Sequence, residues 1–317
     1  MMKILSKYEE EMLSDYQKIK YYKELKEYLK HEKYNNFSNL KIKKLELFNR
    51  IIKKVLKKSI KYNINVEGYE NIKHHPVVYA SSHQDFNDIT NSIYAYPEHV
   101  LTLNACNISD KLKKLLNLNG AIYINRDNKE SRTNAKIEMM KALSKNKSIN
   151  LYPEATWNCT PSKMHLPFYI GMIDIARKMH VPIVPVVQEY NYEYDNNDNS
   201  KVVGVNIKLG REVFVDYLDD NIEKLKEFDE VFSTLRWDLI EKKGNFKRED
   251  ITNHDYTRYI KARMKDWEIP GNDINEERYQ VYGANDDFYL FHHVNDVLFD
   301  ENDNLQPTEL SKKLKLY

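Results

Sequence analysis

The sequence predicts an α/β fold: a mixed, largely parallel sheet flanked by helices, preceded by N-terminal helices and followed by a C-terminal helical appendage. Two observations carry this expectation. Four short apolar runs, Val77–Ser81, Val100–Ala105, Ala121–Asn125 and Ile149–Tyr152, alternate with stretches of helical periodicity at 86–96, 110–117 and 131–144. Short apolar runs separated by helices are the pattern of buried parallel strands joined by crossover helices. The segments on either side are charged and helical instead. The expected organisation is therefore N-terminal amphipathic helices over 1–62, an α/β core over 63–216, and an appendage over 217–317.

Within 3–34, Leu5, Tyr8, Met12, Tyr16, Ile19, Tyr22, Leu25 and Leu29 recur at helical spacing with charges between them. They predict an amphipathic helix, broken at most once. The stretch 50–61 is different in kind. Arg50, Lys53, Lys54, Lys57, Lys58 and Lys61 fall on one face and Ile51, Ile52, Val55, Leu56 and Ile60 on the other, with no acid among them. That composition suits a helix lying on an anionic membrane surface, or a solvated basic face over a packed stripe. Residues 63–75 then read as a short strand, a turn at Gly68 and a loop. A helix near 169–179 leads into a fifth strand, Pro182–Val187, and 202–209 alternates like a strand at a sheet edge. A last helix is expected over Ile222–Lys242, before Gly244.

Composition narrows the class of function. The chain has 317 residues, of which 41% are apolar and 31% charged, with a net charge of +1. A near-neutral chain has no global attraction for nucleic acid, so no nucleic-acid partner is expected. Two cysteines, Cys106 and Cys159, do not make a disulfide framework. The opening MMKILSKYEEEML turns acidic too early for a secretory signal, and no run reaches the roughly 20 apolar residues of a membrane span. The expected location is cytoplasmic, peripheral at the inner face of the membrane.

The chemistry concentrates at strand ends. Val77–Asp88, VVYASSHQDFND, is an apolar strand running into a loop with His83 and Asp88. Imidazole titrates near neutrality and can take a proton from an attacking hydroxyl, and a carboxylate beside it fixes the tautomer. Five residues advance about 500° along a helix, so the pair converges only if a loop turns into a helix at Asp88. A second strand, GAIYINR, ends at Arg126, whose guanidinium is suited to clamping a phosphate. A third ends in Tyr152–Thr156, YPEAT, which sets a carboxylate, Glu154, beyond its last residue. The fourth segment, VPIVPV over 181–186, carries two prolines that limit pairing.

These four segments, in this order, resemble the four sequence blocks of the glycerolipid acyltransferase family, which includes lysophosphatidate and glycerol-3-phosphate acyltransferases. The resemblance runs from about Asn65 to about Arg211. It implies transfer of a fatty acyl group from an acyl-CoA or acyl-carrier-protein thioester to a hydroxyl. It also implies His83 as general base with Asp88 as its partner, Arg126 on the acceptor's phosphate, and Glu154 and Thr156 lining the acceptor site. No bound cofactor and no metal are implied. The family's third block usually reads Phe-Pro-Glu-Gly-Thr-Arg; here Ala155 stands for the glycine and Trp157 for the arginine. Trp157 therefore offers a flat apolar surface where the family offers a cation, which suits a sugar or another uncharged acceptor.

Overall fold

The computed structural model describes residues 2–32, 39–85, 87–105, 110–126, 128–155, 165, 168–194 and 200–242. Two helices open the chain, α1 (Lys7–Glu11) and α2 (Asp15–His31). The break between them is written locally. Ser6 and Glu9 form a capping box on α1, and Ser14 and Gln17 form a second on α2. The aromatic stripe consequently splits. Tyr22, Leu25 and Leu29 are buried, whereas Tyr8, Met12 and Tyr16 face outward.

Helix α3 (Asn39–Ser59) starts well before the expected 50. Its two faces also differ from a simple basic and apolar division. Lys53 turns inward and donates to the Tyr96 carbonyl, and burial pushes its ammonium pKa down. Ile42, Leu45 and Asn49 are buried against the body. Leu47, Ile51 and Val55 are outward, 59%, 49% and 57% exposed. The outward face thus mixes this apolar row with exposed Lys43, Lys44, Arg50, Lys54, Lys57 and Lys58.

The remaining elements are β1 (Asn63–Glu67), β2 (Val78–Ser81), α4 (Asp88–Ala95), β3 (Leu101–Ala105), α5 (Asp110–Asn119), β4 (Ala121–Ile124), α6 (Lys129–Ser144), β5 (Ile149–Leu151), α7 (Gly171–Met179), β6 (Ile183–Tyr194), β7 (Ser200–Leu209) and α8 (Asn221–Lys242). They form one seven-stranded sheet in the order β1-β7-β6-β2-β5-β3-β4. Strands β6, β2, β5, β3 and β4 run parallel. Strand β7 is antiparallel to β6, and β1 is parallel to β7. The fold is the mixed, largely parallel α/β architecture expected. From β2 the chain passes out to β3 and β4, then returns to place β5 directly beside β2. The carboxyl ends of β2, β5 and β4 therefore share one edge, where open α/β sheets bind ligands.

Two apolar clusters hold the sheet. One includes Leu25 and Leu29 of α2, Met140 and Leu143 of α6, Ile173 and Met179 of α7, and Phe228 and Phe232 of α8. The other collects Val77, Tyr79, Tyr96, Val184, Val186, Tyr190, Val205 and Ile207. The core thus draws on α2 and α8, which the sequence placed outside the α/β unit; α8 lies against β6 and β7. Residues 245–317, expected to form most of the appendage, lie outside the described residues. No described helix is long and apolar enough to cross a membrane.

Candidate active site

Strand β2 ends at Ser81, and the loop after it is folded by its own side chains. Asp85 accepts from the backbone N–H of Asn87 at 2.8 Å and from the Asn87 amide at 2.9 Å. That tight turn starts α4 at Asp88. The aspartate is fully buried, and its two oxygens gather four donors. Oδ2 accepts from His83 Nδ1 at 2.9 Å, from Gln84 N–H at 2.6 Å and from Asp85 N–H at 2.8 Å. Oδ1 accepts from the Tyr190 hydroxyl.

A carboxylate only accepts, so Nδ1 of His83 carries its hydrogen and Nε2 carries the lone pair. That is the tautomer a general base requires. The ring is clamped a second way, by stacking on Tyr152 with centroids 4.3 Å apart and planes at 25°. The backbone is held a third way, since His83 N–H donates to Glu154 Oε1 at 3.1 Å. The His83 side chain keeps 19% exposure while Asp88 keeps none. The imidazole therefore sits between a dry anion and the carboxyl edge of the sheet.

Behind Asp88 runs a chain of neutral groups. Asn91 donates to the Tyr190 hydroxyl at 2.9 Å, and Tyr62 donates to Asn91 at 2.8 Å. Burial and the nearby Asp88 charge push the Tyr190 phenol well above its ordinary pKa. Burial, with the Asp85 and Asp88 charges, pushes Tyr62 up to about 12. Both remain O–H donors at any working pH, so the aspartate keeps its partners. Gln188 adds a bond from its amide to the Asp88 carbonyl at 3.2 Å.

The other expected residues are placed as follows. Glu154, just past β5, is fully buried beneath the loop, with an oxygen on the His83 backbone. Arg126 follows β4, three strand spacings from β2, a lateral separation of about 14 Å. Thr156 and Trp157 lie outside the described residues, as do Phe86 and Lys163. Tyr152, Tyr190, Asn91 and Tyr62 are not read as site residues in the sequence. Only Tyr152 sits inside a singled-out motif; the others are brought together by the fold alone.

Ala155 bears on the altered third block. It adopts φ +60°, the left-handed region that glycine occupies without cost. The residue replacing glycine thus keeps glycine's conformation, at about 1 kcal/mol of backbone strain. Ala155→Gly is expected to raise stability by about 0.5–1 kcal/mol without changing the fold. Thermal melting checks this; a lower midpoint in the variant would contradict it.

The sequence model of the Acyltransferase family matches residues 63–189, a span that holds His83, Asp88, Arg126 and Glu154. No curated protein matches the chain. Among solved structures, it is similar to the 1-acyl-sn-glycerophosphate (LPA) acyltransferase PlsC from Thermotoga maritima, at 18% identity and a TM-score of 0.44, covering 73% of this chain and 86% of that one. The span matched by the Acyltransferase model runs from β1 to the middle of β6.

Proposed function

We propose that the protein is an O-acyltransferase of the glycerolipid type. It moves a fatty acyl group from acyl-CoA or acyl-carrier-protein to a hydroxyl of a glycerol-phosphate-type lipid or a related acceptor. The observation that carries this reading is the 2.9 Å contact between His83 Nδ1 and the buried Asp88. It leaves Nε2 as the atom that takes the hydroxyl proton. The oxygen then attacks the thioester carbonyl, forming a C–O bond and an oxyanion. As the oxyanion collapses, the C–S bond breaks and the leaving thiolate takes the proton back from the imidazolium. Asp88 stabilises that imidazolium, and no residue of the protein is acylated on the way.

Arg126 contacts the acceptor's phosphate, Thr156 and Trp157 line the acceptor site, and Glu154 holds the His83 loop from below. Trp157 in the place of the family's arginine favours a second reading, an acceptor without a phosphate, such as a glycolipid, sugar or polyol. One incubation separates the two. Wild-type protein receives labelled palmitoyl-CoA or palmitoyl-acyl-carrier-protein with a panel of lysophospholipids, glycolipids and polyols, and products are identified by mass. A labelled phospholipid supports the first reading and a labelled neutral ester the second. No acylated acceptor, from either donor type, would contradict both.

The reaction takes place at the inner face of the membrane, with α3 as the contact. Its outward Leu47, Ile51 and Val55 are ringed by lysines, which suits shallow insertion among anionic headgroups. Binding to phosphatidylglycerol vesicles is expected to fall with salt. Lys54→Glu and Lys58→Glu should each weaken it by about fivefold or more. Salt-insensitive binding, or equal binding by the variants, would contradict this contact.

A further inference from the structure

Strand β6 continues past residue 189, where the family match ends, and its side chains reach back to the catalytic loop. Gln188, Tyr190 and Tyr192, at alternate positions along it, each touch the loop or the first turn of α4. The Gln188 amide donates to the Asp88 carbonyl at 3.2 Å, and the Tyr192 hydroxyl donates to Asp85 Oδ2 at 3.0 Å. Between them the Tyr190 hydroxyl donates to Asp88 Oδ1. Of the three, Tyr190 is the one that meets the carboxylate holding His83. It is fully buried, and its backbone is paired to Val205 of β7.

Taking His83 as the base, we infer that Tyr190 is a positioning residue for the reaction, acting through Asp88. The direction of each bond around it is forced. Asp88 as an anion only accepts, so the single phenol proton of Tyr190 points at Oδ1. The phenol oxygen is then free to accept, and the Asn91 amide nitrogen donates to it at 2.9 Å. That turns the Asn91 amide oxygen toward Tyr62, from which it accepts at 2.8 Å. The torsion that sets a carboxylate's plane is broad and two-fold. Three donors, His83 Nδ1 among them, hold Oδ2 alone. Tyr190 holds the other oxygen, and two held oxygens fix the plane in which Oδ2 meets the imidazole. A hydrogen bond to an ion is strong, so the same hydroxyl also draws charge toward Oδ1 and eases the pull of Oδ2 on the Nδ1 hydrogen.

Tyr190→Phe removes the hydroxyl and keeps the ring, so the packing of β6 is preserved. With the donor and acceptor that serve the wild type best in the panel above, it is expected to lower kcat by about tenfold, since small displacements of a catalytic group are costly, with acceptor KM little changed. In the Asp88→Asn background the same change should add no further loss, because it acts through that carboxylate. A second readout needs no substrate: the low-field proton resonance of His83 Nδ1–H, identified by its disappearance in His83→Ala. It should move downfield in Tyr190→Phe, where Oδ2 pulls harder on the hydrogen. Tyr190→3-fluorotyrosine keeps the hydroxyl and makes it a stronger donor, so it should move the resonance upfield. Should Tyr190→Phe fail to fold, the fluorinated variant decides alone. A folded Tyr190→Phe with wild-type kcat, a resonance that stays in place in either variant, or losses that multiply in the double variant would overturn the inference. Those results beside an inactive His83→Ala would leave the base standing. Full activity in His83→Ala would overturn the base, and this inference with it.

Discussion

His83→Ala is expected to lower acyl transfer by about 10³-fold or more while the protein stays folded. General-base catalysis by a placed imidazole contributes about 10²–10⁴-fold. The same ring also returns the proton to the departing thiolate, so both halves of the reaction lose their proton carrier. The structural cost is small by comparison. The variant loses the stacking on Tyr152 and one of the four donors on Asp88, whose other three remain. One hydrogen bond to a charged group is worth about 1.5–3 kcal/mol. Initial rates with labelled acyl-CoA and the melting midpoint, measured on the same preparation, check both halves. Equal rates in wild type and variant would remove the catalytic role of His83.

Asp88→Asn is expected to cost about 10²–10⁴-fold in kcat, for a different reason. The side chain keeps its size, but it is now neutral and half of it donates. If the amide oxygen takes the place of Oδ2, it still accepts from His83, Gln84 and Asp85. The amide nitrogen then faces the Tyr190 hydroxyl, which already accepts from Asn91. If the amide turns over, an NH2 group faces Nδ1–H and two backbone N–H groups. Neither arrangement stabilises an imidazolium as an anion does. Because the position is fully buried, stability falls as well, by about 1–3 kcal/mol. The rate should fall at saturating acceptor, with KM little altered, since Asp88 does not touch substrate. A wild-type kcat would show that the imidazolium needs no counter-charge.

How much of this is legible in the sequence follows from the range of each interaction. The parallel strands are visible because each is a continuous apolar run between helical patterns. Strand β6 is longer than expected, Ile183–Tyr194 against Pro182–Val187, because its apolar run stops where Gln188-Glu189-Tyr190 begins. That polar half is strand because it pairs with β7, which no local pattern reports. The extension carries Tyr190, and this is why the donor on Asp88 Oδ1 is hidden. His83 and Asp88 are legible together because a short loop connects them. Tyr62 reaches Asn91, and Tyr190 reaches Asp88, through tertiary packing.

The same reasoning explains α3. Helical periodicity reveals that two faces exist, and the basic and apolar sets in 50–61 are real. It does not reveal which face the body covers. Lys53 is drawn in by the Tyr96 carbonyl, while Ile51 and Val55 are left outside. Ala155 is the opposite case. The glycine that the family places there already reports the backbone conformation, and the alanine adopts it.

The central claim is that a hydroxyl, deprotonated by His83, attacks the thioester directly. It is tested most directly by giving the protein labelled acyl-CoA with and without acceptor, then weighing both the intact protein and the products. The account predicts an acylated acceptor made by wild type and not by His83→Ala, with the mass of the protein unchanged throughout. A protein that gains the mass of one acyl group when acceptor is withheld, and passes it on when acceptor is added, would contradict it.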